Sequence, residues 1–170
     1  MKVFLTGEIG SGKSTAVRAV LAWLGWGRPA GFFTHWDGAE RGAATVFAET
    51  WTGEKQPLAR RVARPVGSGG LCYELDPGFE RFAVAALAGS DPTAPLVVDE
   101  LGLIELASGP FIEAVARRFR DPVPVLAVVQ ERAAARWRPV IDPAGDARWF
   151  DVAAASRAAL PGRIAACFRG

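Results

Sequence analysis

The 170-residue chain has no asparagine, one histidine (His35), two cysteines (Cys72 and Cys167) and three lysines (Lys2, Lys13 and Lys55). Each shortage excludes something. Without asparagine, the Asn-Lys-x-Asp segment with which regulatory GTPases read guanine cannot be built. One histidine leaves no histidine-rich metal site, and the two cysteines match no metal-ligand spacing. Two unpaired thiols are what a cytoplasmic protein would carry. No apolar run is long enough for a membrane span, and Glu8 with a glycine-rich stretch interrupts any signal-peptide pattern. A net charge of +2 is too small to suggest a nucleic-acid or acidic membrane partner.

What remains is a globular composition, half hydrophobic and 22% charged. The length suits one domain spanning residues 1–170, which would bury about 70% of its unfolded surface.

Directly after the apolar stretch KVFL comes GEIGSGKST, residues Gly7, Glu8, Ile9, Gly10, Ser11, Gly12, Lys13, Ser14 and Thr15. It satisfies G-x-x-x-x-G-K-[ST], the loop that cradles nucleotide phosphates. The glycines let backbone N–H groups turn toward an anion, and the following helix adds its positive end. In that pattern Lys13 reaches the β- and γ-phosphates and Ser14 coordinates Mg2+. With lysine so scarce, one inside the loop carries weight.

Such a loop needs a second carboxylate to complete the metal shell. LVVDE supplies Asp99 at the end of an apolar strand, where parallel sheets present their ligands. Glu100 beside it has the chemistry of a general base toward water. Alternation sends neighbouring strand residues to opposite faces. Both acids can serve one site only if the strand ends or twists there.

The remaining pattern is α/β. KVFLT, AGFFT, APLVVDE and VPVLAVVQ read as strands, several with no alternation because helices cover both faces. STAVRAVLAWLGW reads as a helix. DPGFERFAVAALAG reads as another, with Asp76 as cap and Gly89 as stop, and SGPFIEAVARRF as a third, capped by Ser108. AATVFAETWTGEKQPLARRV suggests a hairpin turning at Thr-Gly, and GGLCYEL a further strand. ARWFDV and PGRIAACF close the chain as strand and helix. The expectation is a three-layer sandwich around a mostly parallel sheet, with a small hairpin insertion.

On these residues the chain resembles the small nucleoside-triphosphatase family of the THEP type. GEIGSGKST looks like its phosphate loop and GFFT like its Gly-Phe-x-Thr strand. GEKQPLARR resembles its Gly-x-x-x-x-Leu-Ala-Arg segment, YELDPGFE its tyrosine strand and Phe-Glu helix, and SRAALPGRI its closing helix. DELGLIELASGPF is similar to its Asp-Glu-Ile-Gly-Lys-Met-Glu-Leu block. The resemblance implies a RecA-like P-loop fold and Mg2+-dependent hydrolysis of nucleoside triphosphates (ATP, GTP) with loose base choice. It makes Asp99 the metal-shell acid, Glu100 the catalytic base and Arg60 a candidate cationic finger. Leu103 stands where the family has lysine, and His35 and Trp36 where it has acids.

Two other readings share the loop and Asp99. One is a small kinase with LARRVAR as part of a lid. The other is a nucleotide-gated binding protein that serves metal or cofactor uptake with little turnover, which Leu103 and the exposed-looking HWDGAERG loop would suit. Gln130, at the end of the next strand, is either a γ-phosphate sensor or structural. Glu105 is expected to tie the loop before Ser108.

Overall fold

A computed structural model describes residues 1–38, 44–62, 72–152 and 158–169. The hairpin-adjacent HWDGAERG and LARRVAR segments, and the start of SRAALPGRI, run partly outside them.

Among the described residues eight strands form one sheet. They are β1 (Lys2–Thr6), β2 (Ala30–Trp36), β3 (Thr45–Thr50), β4 (Lys55–Val62), β5 (Cys72–Leu75), β6 (Leu96–Leu101), β7 (Val125–Val129) and β8 (Arg148–Asp151), in the order β5-β4-β3-β2-β6-β7-β1-β8. From β2 to β8 all neighbours are parallel. From β2 to β5 all are antiparallel. The expected hairpin is β3–β4, and it extends the sheet continuously rather than standing apart from it.

The helices are α1 (Lys13–Leu24), α2 (Phe79–Ala88), α3 (Gly109–Arg118), α4 (Ala134–Ile141) and α5 (Leu160–Arg169). Two cores result. Val3, Leu5, Val97, Leu126 and Val128 pack with α1 and α5 on one face. Phe4, Phe32, Val98, Ala127 and Val129 pack with α2, α3 and α4 on the other. The central strands are apolar on both faces, which is why they show no alternation.

Local chemistry sets the ends of the elements. α1 stops at Gly25, whose φ of 68° is left-handed. Ser108 caps α3 by accepting from the Phe111 N–H, and its own hydroxyl donates to Glu80 Oε2 at 2.7 Å. α2 begins later than its sequence suggests. Asp76 accepts from the Gly78 N–H at 2.9 Å and organises the turn before the helix, while Gly78 occupies the cap position. α4 has no sequence signal comparable to the others. Pro139 lies inside it and only Trp137 and Ile141 are buried on its inner face.

Candidate nucleotide site

The phosphate loop leaves β1 at Thr6 and re-enters regular structure at Lys13. Gly7, Gly10 and Gly12 have φ of 131°, 80° and 97°, values that residues with a Cβ rarely adopt. At Gly7 a side chain would also meet the Asp151 carboxylate and the Val152 backbone at the end of β8. Lys13 is buried, and its ammonium donates to the carbonyls of Gly7 and Glu8, both at 2.8 Å. The loop is thus closed around its own lysine. Glu8 and Ile9 are exposed at its tip, and Ser14 and Thr15 are exposed at the start of α1. Ser11 is buried with its hydroxyl unpartnered among the described residues.

Asp99 belongs to one row of residues that crosses the sheet. The register aligns Phe33, Asp99, Val128, Leu5 and Phe150 on adjacent strands. Paired residues face the same side, so Asp99 lies on the α1 face among apolar neighbours. β7 separates β6 from β1, a span of about 10 Å. The start of α1 bridges it. Burial pushes the Asp99 carboxyl up to about 6, opposed by a hydrogen bond from the Ser14 hydroxyl and by the charges of Arg18 and Lys13.

The alternation problem at Asp99–Glu100 is solved by a bulge. Asp99 pairs with Val128 but Leu101 pairs with Val129, so the register shifts by one residue at Glu100. Leu101 consequently packs in the same core as Val98, although strict alternation would put it on the face of Asp99. A bulge re-aims the side chain it carries, and this one falls on the second acid. The peptide between the two acids is cis.

The next turn is tied from three sides. The Gly102 N–H donates to Glu105 Oε2 at 3.0 Å, the Gly102 carbonyl accepts from Trp137 Nε1 at 2.9 Å, and the Leu103 N–H donates to Gln130 Oε1 at 3.2 Å. Gln130 therefore has a bracing contact, and Glu105 anchors the turn as well as preceding Ser108. Glu105 is buried, and burial pushes its carboxyl up to about 7. The nearby charge of Glu100 adds to this, while N–H bonds from Glu105 itself and Gly102 oppose it.

The structure thus brings together Lys13, Ser14 and Asp99, with Glu100 adjacent. Arg60 it places elsewhere. β4 is three strands from β6, about 14 Å across the sheet. Arg60 is mostly exposed and paired with Asp76 at 3.2 Å. His35 is bonded to Glu49 at 3.0 Å on the wing of the sheet. Sequence reasoning missed Arg18 and Trp137. Arg18 falls four residues after Ser14, a helical spacing that was the available signal. Trp137 was hidden in a helix without clear periodicity.

The donor chemistry fits a small hard cation. Ser14 and Asp99 offer oxygen only, and among the described residues no cluster of three His, Cys, Asp or Glu could cage a metal by itself. Mg2+ suits such a site because it takes one or two protein oxygens and completes its shell with phosphate and water.

A family model described as NTPase matches residues 2–165. The chain is 29% identical to the nucleoside-triphosphatase THEP1 of Natranaerobius thermophilus over 170 residues, covering 96% of this chain and 93% of that protein. It is 33% identical to the THEP1 of Thermococcus kodakarensis over 148 residues, 82% of each. Its fold superposes on the crystal structure of THEP1 from Aquifex aeolicus with a TM-score of 0.75 at 27% identity, covering 96% of both chains.

Proposed function

Because the chain belongs to the NTPase family, whose model spans nearly all of it, we propose that it hydrolyses nucleoside triphosphates at the site formed by Gly7–Thr15, Asp99 and Glu100, with Mg2+ as the ion. The observation that carries this reading is the glycine loop closed around the buried Lys13 ammonium, with Asp99 on the α1 face of the sheet and a bulge at Glu100 that interrupts strict alternation.

The backbone of Gly7–Gly12 and the Lys13 ammonium bind the phosphates. Lys13 exchanges the Gly7 and Glu8 carbonyls for phosphate oxygens. Ser14 and Asp99 would hold Mg2+, which neutralises charge on the β- and γ-phosphates when bound. Glu100 orients a water and accepts its proton. The water oxygen bonds to the γ-phosphorus, the bond to the bridging oxygen breaks, and that oxygen leaves on the diphosphate. Arg60 acts as a finger only if it exchanges Asp76 for the γ-phosphate. ATP and GTP are both substrates. The absence of the asparagine-based guanine reader supports loose base choice. Two unpaired cysteines, and no helix among the described residues long and apolar enough to cross a membrane, support a cytoplasmic setting.

Phosphate release from ATP and GTP, with Mg2+ and then with EDTA, tests the reading. Stoichiometric diphosphate and phosphate are expected without any acceptor. Release that requires an added hydroxyl compound would make the protein a kinase instead.

A further inference from the structure

The chain that follows Glu100 is gripped by a single corner of the fold, the one that joins β7 to α4. The Gln130 N–H donates to the Leu101 carbonyl at 2.9 Å, and the Gln130 side-chain oxygen accepts from the Leu103 N–H at 3.2 Å. Trp137 Nε1 donates to the Gly102 carbonyl at 2.9 Å. Leu101, Gly102 and Leu103 are thus each bonded to the corner. The corner is closed on itself, because the Gln130 carbonyl accepts at 2.8 Å from the N–H of Ala133, the cap of α4.

Trp137 is the deepest of these groups. It is fully buried, and its ring meets Phe111 of α3 edge-on with centroids 6.1 Å apart. A buried indole N–H needs a partner, and this one takes a backbone carbonyl at the end of β6. From the other side Glu105 Oε2 accepts from the Gly102 N–H at 3.0 Å. Gly102 is therefore held at both ends of its polar backbone. A Cβ there would lie 2.9 Å from the same Glu105 oxygen, so the seat is cut for glycine.

Glu100 lies between two fixed points. Asp99 before it pairs with Phe33 and Val128, and Leu101 after it is fully buried and pairs with Val129. Where the register shifts, the ladder stops dictating the backbone. The direction in which Glu100 leaves the chain then depends on how the next residues are held. We propose that the β7–α4 corner, through Trp137 and Gln130, is a positioning device for Glu100, fixing the backbone from which that carboxylate meets the attacking water. The proposal rests on the hydrolytic reading above. The grip falls on the segment after the base and not on the phosphate loop, so its loss should act on the chemical step. A misplacement of about 1 Å at a reacting group can cost about 10²-fold in rate.

The test is a double-mutant cycle read by single-turnover hydrolysis of ATP with Mg2+, beside the affinity for a non-hydrolysable ATP analogue. The proteins are the parent, Trp137→Phe, Gln130→Leu, Glu100→Gln, and each corner variant combined with Glu100→Gln. Trp137→Phe keeps an aromatic ring against Phe111 and removes the N–H. It is expected to slow the single-turnover step about 10- to 100-fold and to leave the analogue affinity within about twofold of the parent's. In the Glu100→Gln background the same change should alter the residual rate by less than about twofold, because the group it positions is gone. A tryptophan that serves the fold alone would slow both backgrounds equally. Gln130→Leu, at a half-buried position, should show the same pattern with a smaller loss, and it decides the matter if Trp137→Phe does not fold. Parent-like rates in the corner variants overturn the proposal. So does a loss of affinity that matches the loss of rate, and so does an undiminished loss in the Glu100→Gln background. If Glu100→Gln alone turns over at the parent rate, the base assignment fails and the proposal with it. If that variant is slow while the corner variants are not, the hydrolytic reading stands and the positioning role alone falls.

Discussion

Asp99 and Glu100 are consecutive residues with different environments, and substitution should separate them. Asp99 sits in an apolar row and meets Ser14, so Asp99→Asn should weaken the metal dependence while leaving an uncharged acceptor in place. Glu100 occupies the bulge, so Glu100→Gln should bind nucleotide normally and lose about 10²–10⁴-fold in turnover, the usual worth of a positioned base. Single-turnover hydrolysis beside nucleotide affinity checks both, and a Glu100→Gln variant that turns over at the parent rate would remove the base from Glu100. Glu105 gives a different kind of expectation. Its carboxyl stands near 4.5 in the unfolded chain and about 7 in the folded one. Between those values the unfolded chain has released a proton that the folded chain keeps, so this residue's contribution to stability falls as pH rises through that window. Glu105→Gln keeps an acceptor for the Gly102 N–H and abolishes the titration. Between pH 4.5 and 7 the parent should lose about 3 kcal/mol relative to this variant. Urea unfolding at both ends of the window measures it, and equal pH dependence in the two proteins would show that Glu105 titrates normally.

At the scale of elements, the contact between β2 and β6 positions the site. Gly31 in β2 has a φ of 98°, and a Cβ there would collide with the Val97 carbonyl of β6. Gly31→Ala should therefore cost roughly 2–4 kcal/mol, combining a left-handed backbone penalty with a steric one. The damage should reach activity, because the same strand pair sets Phe33 against Asp99. A midpoint of urea denaturation equal to the parent's would contradict this account. The elements differ in how plainly the sequence announced them. β1, α1, β6, β7 and α3 follow from apolar runs, a glycine-rich loop and a Ser108 cap. α4 does not, because its inner face has two large buried residues and Pro139 interrupts its pattern. That helix nevertheless supplies the Trp137 bond that fixes the turn after Glu100. The brace on the acids was thus the less legible part of the site.

For the whole molecule, a ligand that binds only the folded chain must raise its melting temperature. At a nucleotide concentration about 100 times the dissociation constant the gain is about 2.7 kcal/mol, which for a chain of this size is roughly 5–10 °C. Lys13→Ala should abolish most of that shift and leave the nucleotide-free melting temperature close to the parent's, because the lysine's present partners are two loop carbonyls. ATP and GTP should shift the parent alike. A preference beyond about 100-fold in affinity would reveal a dedicated base pocket. Thermal scans with each nucleotide, with and without Mg2+, decide both points.

The sequence by itself determined the phosphate-loop pattern and its place between β1 and α1. G-x-x-x-x-G-K-[ST] constrains backbone conformation and places a cation locally, so its meaning survives without knowledge of the fold. An apolar strand ending in Asp99 likewise announces its edge of a parallel sheet. What the tertiary structure decided was which distant residues share the space. Strand order put β7 between the loop and Asp99 and let Ser14 span the gap. A change of register freed Glu100 from alternation. The path of β4 set Arg60 on Asp76, three strands from Asp99. The pairing of β2 with β6 set Phe33 beside that acid, with the Arg18 guanidinium over the Phe33 ring. These depend on pairing between segments far apart in the chain, and no local pattern encodes the register in which two strands meet.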